Sequence, residues 1–129
     1  KSIAEALNLA VLTLIDARAA NATLRQRIEL GDIVYLKAGT GRTGQPADIE
    51  GDLGDVLAEA VSRIRAVAPE TPIAAGIGLQ RPEQVTALAR LGVDMVIVGT
   101  KIIECLQAGE QTLVEYIQSL REATYLSSV

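Results

Sequence analysis

The sequence predicts an α/β fold in which parallel strands alternate with helices. Two patterns carry that expectation. An apolar run of strand length is followed by a helical repeat four times along the chain. The runs are apolar throughout, as strands lying under helices are, instead of alternating with polar residues. Composition agrees: of 129 residues 49% are hydrophobic, yet there are three Tyr, one Met and neither Phe nor Trp. Ile, Leu, Val and Ala must therefore fill the interior. Strands connected in this way are parallel and joined by right-handed crossovers. An open doubly wound sheet and part of a closed barrel both satisfy the pattern, and periodicity does not choose between them. The length fits one domain with a modest core.

Residues 1–7 read as the end of a helix, and residues 9–15 as a buried strand ending at Asp16. Asn21 or Thr23 caps the next helix, which carries Leu24 and Ile28 and stops near Gly31. A second strand spans Asp32–Lys37, and a loop rich in Gly and Thr follows over Ala38–Gly51. The clearest helix comes next. Leu53, Val56, Leu57, Ala60, Val61, Ile64 and Val67 recur at spacings of three and four and paint one apolar face, which Pro69 and Pro72 end. A third strand, Ile73–Ile77, runs into Gly78. Pro82 opens a helix bearing Val85, Leu88, Ala89 and Leu91, closed by Gly92. The fourth strand, Val93–Val98, ends at Gly99 and Thr100; a short apolar segment, Ile102–Leu106, precedes a last helix over 110–123.

Several function classes are disfavoured. The net charge of −4 is dispersed and no basic stripe with interleaved aromatics occurs, so a nucleic-acid partner is not expected. No apolar run approaches the roughly 18 residues that span a bilayer, so no membrane partner is expected either. Cys105 is the single cysteine, which excludes an internal disulfide and fits a cytoplasmic setting. With no His to activate it, Cys105 reads as a packing thiol. The absence of His also removes the commonest metal ligand and general base, so no metal or other cofactor is expected. Acid–base chemistry is left to carboxylates, Lys37, Lys101 or a tyrosine. The chain opens on Lys1 and not on Met, and further sequence is expected ahead of it.

Glycine segments fall at the C-terminal ends of three successive strands: Gly39-Thr40-Gly41-Arg42-Thr43-Gly44, Gly76-Ile77-Gly78, and Gly99-Thr100. Residues without Cβ let backbone N–H groups close on a phosphate, and barrels carry their sites on that end of the sheet. Thr100 opens a helical segment whose dipole favours an anion without any lysine. Any one of these segments is equally a tight turn; their succession points to phosphate. Gly39-x-Gly41-x-x-Gly44 also fits a dinucleotide fingerprint. That fingerprint must open a helix at once, with an acid ending the next strand. Here Pro46, Asp48 and Gly51 prolong the loop, and Glu59, the acid at the right distance, lies inside the helix. A P-loop is excluded because no Gly-Lys-Ser/Thr follows.

Three stretches together resemble one family. Tyr35-Leu-Lys-Ala-Gly-Thr-Gly41-Arg-Thr43-Gly44 is similar to the sixth strand and closing loop of the tryptophan synthase alpha subunit. Gly76-Ile-Gly78 with Arg81-Pro82-Glu-Gln-Val85 is similar to its seventh strand and following helix, and Val98-Gly99-Thr100-Lys-Ile-Ile103 to its eighth strand and short phosphate-binding helix. The order and spacing run from about residue 9 to 123. The resemblance implies a TIM-barrel type fold, of which this chain is the C-terminal (β/α)4 half. It implies that Tyr35 and Ile77 line the indole pocket and that Thr43 sits in the loop that closes over the substrate. Gly44, Gly78, Gly99 and Thr100 then contact the phosphate. It further implies a phosphorylated small-molecule ligand, cleavage of indole-3-glycerol phosphate to indole and glyceraldehyde 3-phosphate, and a tryptophan synthase beta subunit as partner. The family's two catalytic carboxylates belong to earlier strands, so these residues need a complementing half for activity. Ile77 replaces the family's aromatic, Thr100 its serine, and Asp16-Ala-Arg-Ala its apolar-Pro segment.

Asp16 reads first as a solvated loop acid and second as a surrogate base. Lys37 shares a side of its strand with Tyr35 and resembles the Schiff-base lysine of class I aldolases, which makes an aldolase an alternative to the lyase. A non-catalytic binding or assembly module that keeps the phosphate grip is the other. Arg42 guards the phosphate or is a solvated loop charge, and Tyr116 and Tyr125 read as packing residues. A half-barrel leaves two unpaired sheet edges and an apolar face. Pairing of two copies, or completion by another half, is expected to cover them.

Overall fold

The computed structural model describes residues 2–37, 52–76 and 79–125. Its elements run α1 (Ser2–Leu7), β1 (Leu12–Asp16), α2 (Asn21–Ile28), β2 (Ile33–Lys37), α3 (Asp52–Val67), β3 (Ile73–Ala75), α4 (Pro82–Arg90), β4 (Met95–Val96), α5 (Thr100–Ala108) and α6 (Glu110–Thr124). The strands form one sheet, paired in parallel in the order β1-β2-β3-β4. Strand order decides what periodicity left open. A doubly wound sheet reverses direction beside its first strand, whereas these strands follow one another around without reversal, as in a barrel wall.

The element boundaries follow from where the ladders end. The first strand begins at Leu12, later than its apolar run suggests. The Val11 N–H donates to the Asp32 carboxylate at 2.8 Å, and the Val11 carbonyl accepts from the N–H groups of Asp32 and Ile33, so Leu9 and Ala10 have no partner strand. The third strand stops at Ala75, short of the expected Ile77, which lies outside the described residues. A short β3 leaves β4 only Met95 and Val96 to pair, although Asp94 and Ile97 still donate to Ile73 and Ala75. The short apolar segment after β4 is a full helix, α5, divided from α6 by Gly109 at φ +134°.

Alternation along the strands sorts the side chains by face. Thr13, Ile15, Val34, Leu36, Ile73 and Ala75 are buried under the helices. There they pack with Leu57, Ala60, Val61 and Ile64 from the apolar face of α3, with Leu24 of α2, and with Leu88 of α4. Each fully buried Leu or Ile stabilises the fold by about 1.5–3 kcal/mol. The other face carries Leu12, Leu14, Met95 and Ile97, which are 48%, 53%, 38% and 39% exposed. Among the described residues the helices therefore cover one face only. The helices lie over the outside of the sheet, and the inner face is apolar as well, which is why the runs read as apolar throughout.

At the N-terminal ends of the strands the Arg65 guanidinium bonds to the Thr71 carbonyl and the Asp94 carboxylate, which also accepts the Ile73 N–H at 2.9 Å. One cation thus ties the end of α3 to the starts of β3 and β4. Gly31, entering β2, is held close to β1: a Cβ there would meet the Thr13 Oγ1 at 2.0 Å and the Val11 carbonyl oxygen at 2.9 Å. Gly31→Ala is expected to lower stability by about 1–3 kcal/mol, the usual cost of overpacking. Urea unfolding measures it, and an unchanged midpoint would contradict the close β1–β2 approach.

Candidate functional site

The inner face changes character along the strands. Register sets its side chains in rows. Leu12 and Ile33 form the first, and Leu14, Tyr35, Ala74 and Met95 the second. The third, at the C-terminal ends of β1 and β2, pairs Asp16 with Lys37. Two rows that are apolar apart from Tyr35 thus give way to a charged pair on β1 and β2, while Ile97 keeps the β4 side apolar.

Tyr35 is half-buried in the second row, and burial pushes its phenol above the ordinary tyrosine value. Lys37 is half-buried one row further along. Asp16 is exposed, and its Oδ1 accepts the Arg18 N–H at 2.8 Å in a turn that leads out of β1. The ion pairs among the described residues are Arg65–Asp94 and Lys101–Glu104, so Asp16 and Lys37 lie side by side without closing a bridge. The strand end they share is braced. The Ala17 N–H donates to the Lys37 carbonyl at 2.8 Å. Arg63 of α3 donates to the carbonyls of Ala17 and Ala19 at 2.9 and 2.8 Å and to the Asn21 side chain at 3.1 Å.

Beyond β3, Gly76 fits where no side chain would: its Cβ would lie 2.4 Å from the Ile97 carbonyl oxygen. The entry to α4 is fixed by buried Gln84, whose Oε1 accepts the N–H groups of Gln80 and Arg81 at 2.8 and 2.9 Å. After β4, Gly99 precedes α5, and its carbonyl accepts from Ile102 and Ile103. Among the described residues no acceptor takes the N–H of Thr100 or Lys101, and a Cβ on Gly99 would meet nothing within 4 Å. The mouth of α5 therefore presents two amides without an acceptor among the described residues, at the same end of the sheet as Asp16 and Lys37. The Lys101 ammonium is engaged with Glu104 at 3.3 Å along α5 itself.

The structure thus brings Asp16, Lys37, Gly99 and Thr100 to the C-terminal end of the sheet, with Tyr35 one row earlier on the inner face. Thr43, Gly44, Ile77 and Gly78 lie outside the described residues, as does the whole of Ala38–Gly51. Two concavities lie elsewhere, one of about 120 Å³ between α2 and α3 and one of about 320 Å³ beside β4 and Thr124. Neither touches the rim residues. Cys105 is buried, consistent with a packing thiol. Among the described residues no group of three His, Cys, Asp or Glu side chains could hold a metal, and no helix is long and apolar enough to cross a membrane.

Arg63 and Gln84 were not singled out by sequence, although each had a signal. Arg63 stands at helical spacing from Val56, Ala60 and Val67, an arginine set into the border of an apolar stripe. Gln84 is the third residue of a helix opened by Pro82, where a Gln side chain turns back onto the preceding amides.

The sequence model of the family described as tryptophan synthase alpha chain matches residues 1–126. This chain belongs to the tryptophan synthase alpha chain family. A curated relative from Cyanidium caldarium, a tryptophan synthase alpha chain, is 32% identical over 95 residues, which cover 73% of this chain and 37% of the relative. Among solved structures, Mycobacterium tuberculosis tryptophan synthase superposes with a TM-score of 0.82 at 24% identity, over 98% of this chain and 46% of the other. The tryptophan synthase α2β2 complex of Pyrococcus furiosus matches at 0.73 and 21% identity, over 94% and 49%. The chain spans under half the length of these alpha chains, and their fold is its fold.

The tyrosines offer a direct check on the site. Burial raises the Tyr35 phenol; for Tyr116 burial comes first, with Cys105 and Glu104 adding, while its hydroxyl donates to the Gln80 carbonyl at 2.7 Å. Both hold their protons more tightly folded than unfolded. Their contribution to stability is thus complete below the ordinary value near 10 and is lost as pH rises through the raised values. In a variant carrying Tyr116→Phe and Tyr125→Phe, phenolate absorbance is expected to report Tyr35 alone titrating above that ordinary value, with unfolding becoming easier over the same range. A titration at the free-tyrosine value would place Tyr35 in open solvent.

Proposed function

We propose that this chain is the phosphate-gripping part of a tryptophan-synthase-alpha-type lyase, a single-domain half-barrel that acts on indole-3-glycerol phosphate once its missing strands are supplied. The observation that carries this reading is the pair of amides at the mouth of α5 that meet no acceptor among the described residues, set at the end of the sheet that carries Asp16 and Lys37. Backbone N–H groups and the helix dipole hold a phosphate dianion without a lysine. In this reading Gly44, Gly78, Gly99 and Thr100 surround the phosphate. Tyr35 and Ile77 line the pocket for the ring, and Thr43 belongs to the closing loop.

Cleavage of the carbon–carbon bond to the ring needs a proton acceptor and a proton donor. The described strands put one carboxylate, Asp16, on the inner face, beside Tyr35 and Lys37. This is a thin supply for two proton transfers, and it supports a division of labour in which the remaining strands bring the acid and base. The exposed Leu12, Leu14, Met95 and Ile97 support the same division, since such a face favours burial against further strands or a second copy. A beta subunit is the proposed partner of the completed barrel, by analogy with the α2β2 complex named above. A phosphorylated metabolite and an unoxidised buried thiol fit the cytoplasm.

Calorimetry with indole-3-glycerol phosphate tests the grip. The chain is expected to bind it, and Gly99→Asp is expected to weaken binding at least tenfold by setting a carboxylate against the phosphate. Because the space at Gly99 is open, the substitution should leave stability within about 0.5 kcal/mol. Indole should be released only when a polypeptide supplying the earlier barrel strands is added. Equal affinity in the variant, or turnover by the chain alone, would overturn the corresponding part of the reading.

A further inference from the structure

We infer that Tyr116 is a positioning residue for the anion site: its hydroxyl ties the segment entering α4 to the helix that carries α5, and so sets the spacing of the two arms that hold a phosphate. The inference rests on the phosphate reading proposed above and adds to it the part that holds those arms in place. A grip made of backbone amides has no long side chain that can follow its ligand, so its affinity depends on how the amides are spaced before binding. The arms here are the mouth of α5 and the segment that follows Gly78 in sequence. They belong to different strand–helix units, and their separation has to be fixed by a contact between units.

The packing shows where that contact lies. α5 rests mainly on α6, and α6 packs in turn on α4, so the mouth of α5 takes its place from α6. Two hydroxyls fix α6 at this side. The Thr86 Oγ1 donates to the Ala123 carbonyl at 3.0 Å, about one helical turn into α4 and away from the rim. The Tyr116 hydroxyl donates at 2.7 Å to the carbonyl of Gln80, ahead of α4 and at the rim. Gln80 is thereby held through both of its backbone groups, because its N–H donates to the Gln84 side chain at 2.8 Å. Gln84 belongs to α4 and shapes the segment locally; Tyr116 ties it to the helix on which α5 rests. The Tyr116 phenol also lies within electrostatic reach of Cys105 and Glu104 of α5, so one half-buried side chain borders both arms. The exits of β3 and β4 are neighbours as well, since a Cβ on Gly76 would stand 2.4 Å from the Ile97 carbonyl oxygen. Packing needs only the ring of Tyr116. The hydroxyl supplies the link.

The test is calorimetric titration of the full chain with inorganic phosphate, beside urea unfolding, for the wild type, Tyr116→Phe and Thr86→Val. Each substitution keeps the shape of its side chain and removes one hydroxyl that donates between α6 and the α4 unit. Both are expected to lower the unfolding midpoint slightly. Tyr116→Phe should in addition weaken phosphate binding about fivefold, the scale of one neutral hydrogen bond. Thr86→Val, away from the rim, should leave the affinity within about twofold. A merely structural role for Tyr116 would move stability without separating the two variants in affinity. If the wild type binds phosphate and Tyr116→Phe binds it equally well, or Thr86→Val weakens binding as much, Tyr116 is not a positioning residue and the phosphate reading stands. If the wild type does not bind phosphate, both fall.

Discussion

One-sided coverage of the sheet organises this molecule. Alternation along parallel strands sends Ile15, Val34, Leu36 and Ile73 under the helices and leaves Leu12, Leu14, Tyr35 and Met95 on the opposite face. Strand order follows sequence order without reversal, so every helix–strand unit repeats the same turn and the uncovered faces line up as the inside of a wall. The C-terminal strand ends then share one rim, and residues far apart in sequence, from Asp16 to Thr100, meet there. Arg65 and Asp94 tie the opposite end. At the rim, Arg63 reaches from α3 to support the loop after β1 without entering the site itself.

Much of this was legible in the sequence, and the gaps have physical causes. The α3 helix was plain because its apolar spacing repeats over four turns, and β2 was placed within one residue. Strand order was not legible, since it depends on hydrogen bonds between segments that periodicity treats separately. A bare apolar face was expected of half a barrel, but which residues it carries was not legible, because Leu12 and Leu14 are as apolar as the buried Ile15. The start of β1 depended on Asp32, whose carboxylate takes the Val11 N–H and ends the ladder. The site was legible as a set of strand ends rich in glycine. The braces behind it were not, because Arg63 reads as one more charge on a helix.

The contrast between the second and third rows gives the inner face its directional chemistry. An apolar floor raises the cost of charge, which pushes the Tyr35 phenol above its ordinary value, while the row above it offers one cation and one anion. Relatives of this family supply the frame for reading that arrangement.

Everything about ligand recognition depends on the α5 amides being available to an anion. Amide chemical shifts followed by nuclear magnetic resonance during titration with inorganic phosphate test this most directly. The N–H signals of Thr100 and Lys101 should move first and saturate together, while those of α2 and the N-terminal strand ends stay fixed. Shifts scattered over the surface, or none at Thr100 and Lys101, would contradict a phosphate grip at the mouth of α5.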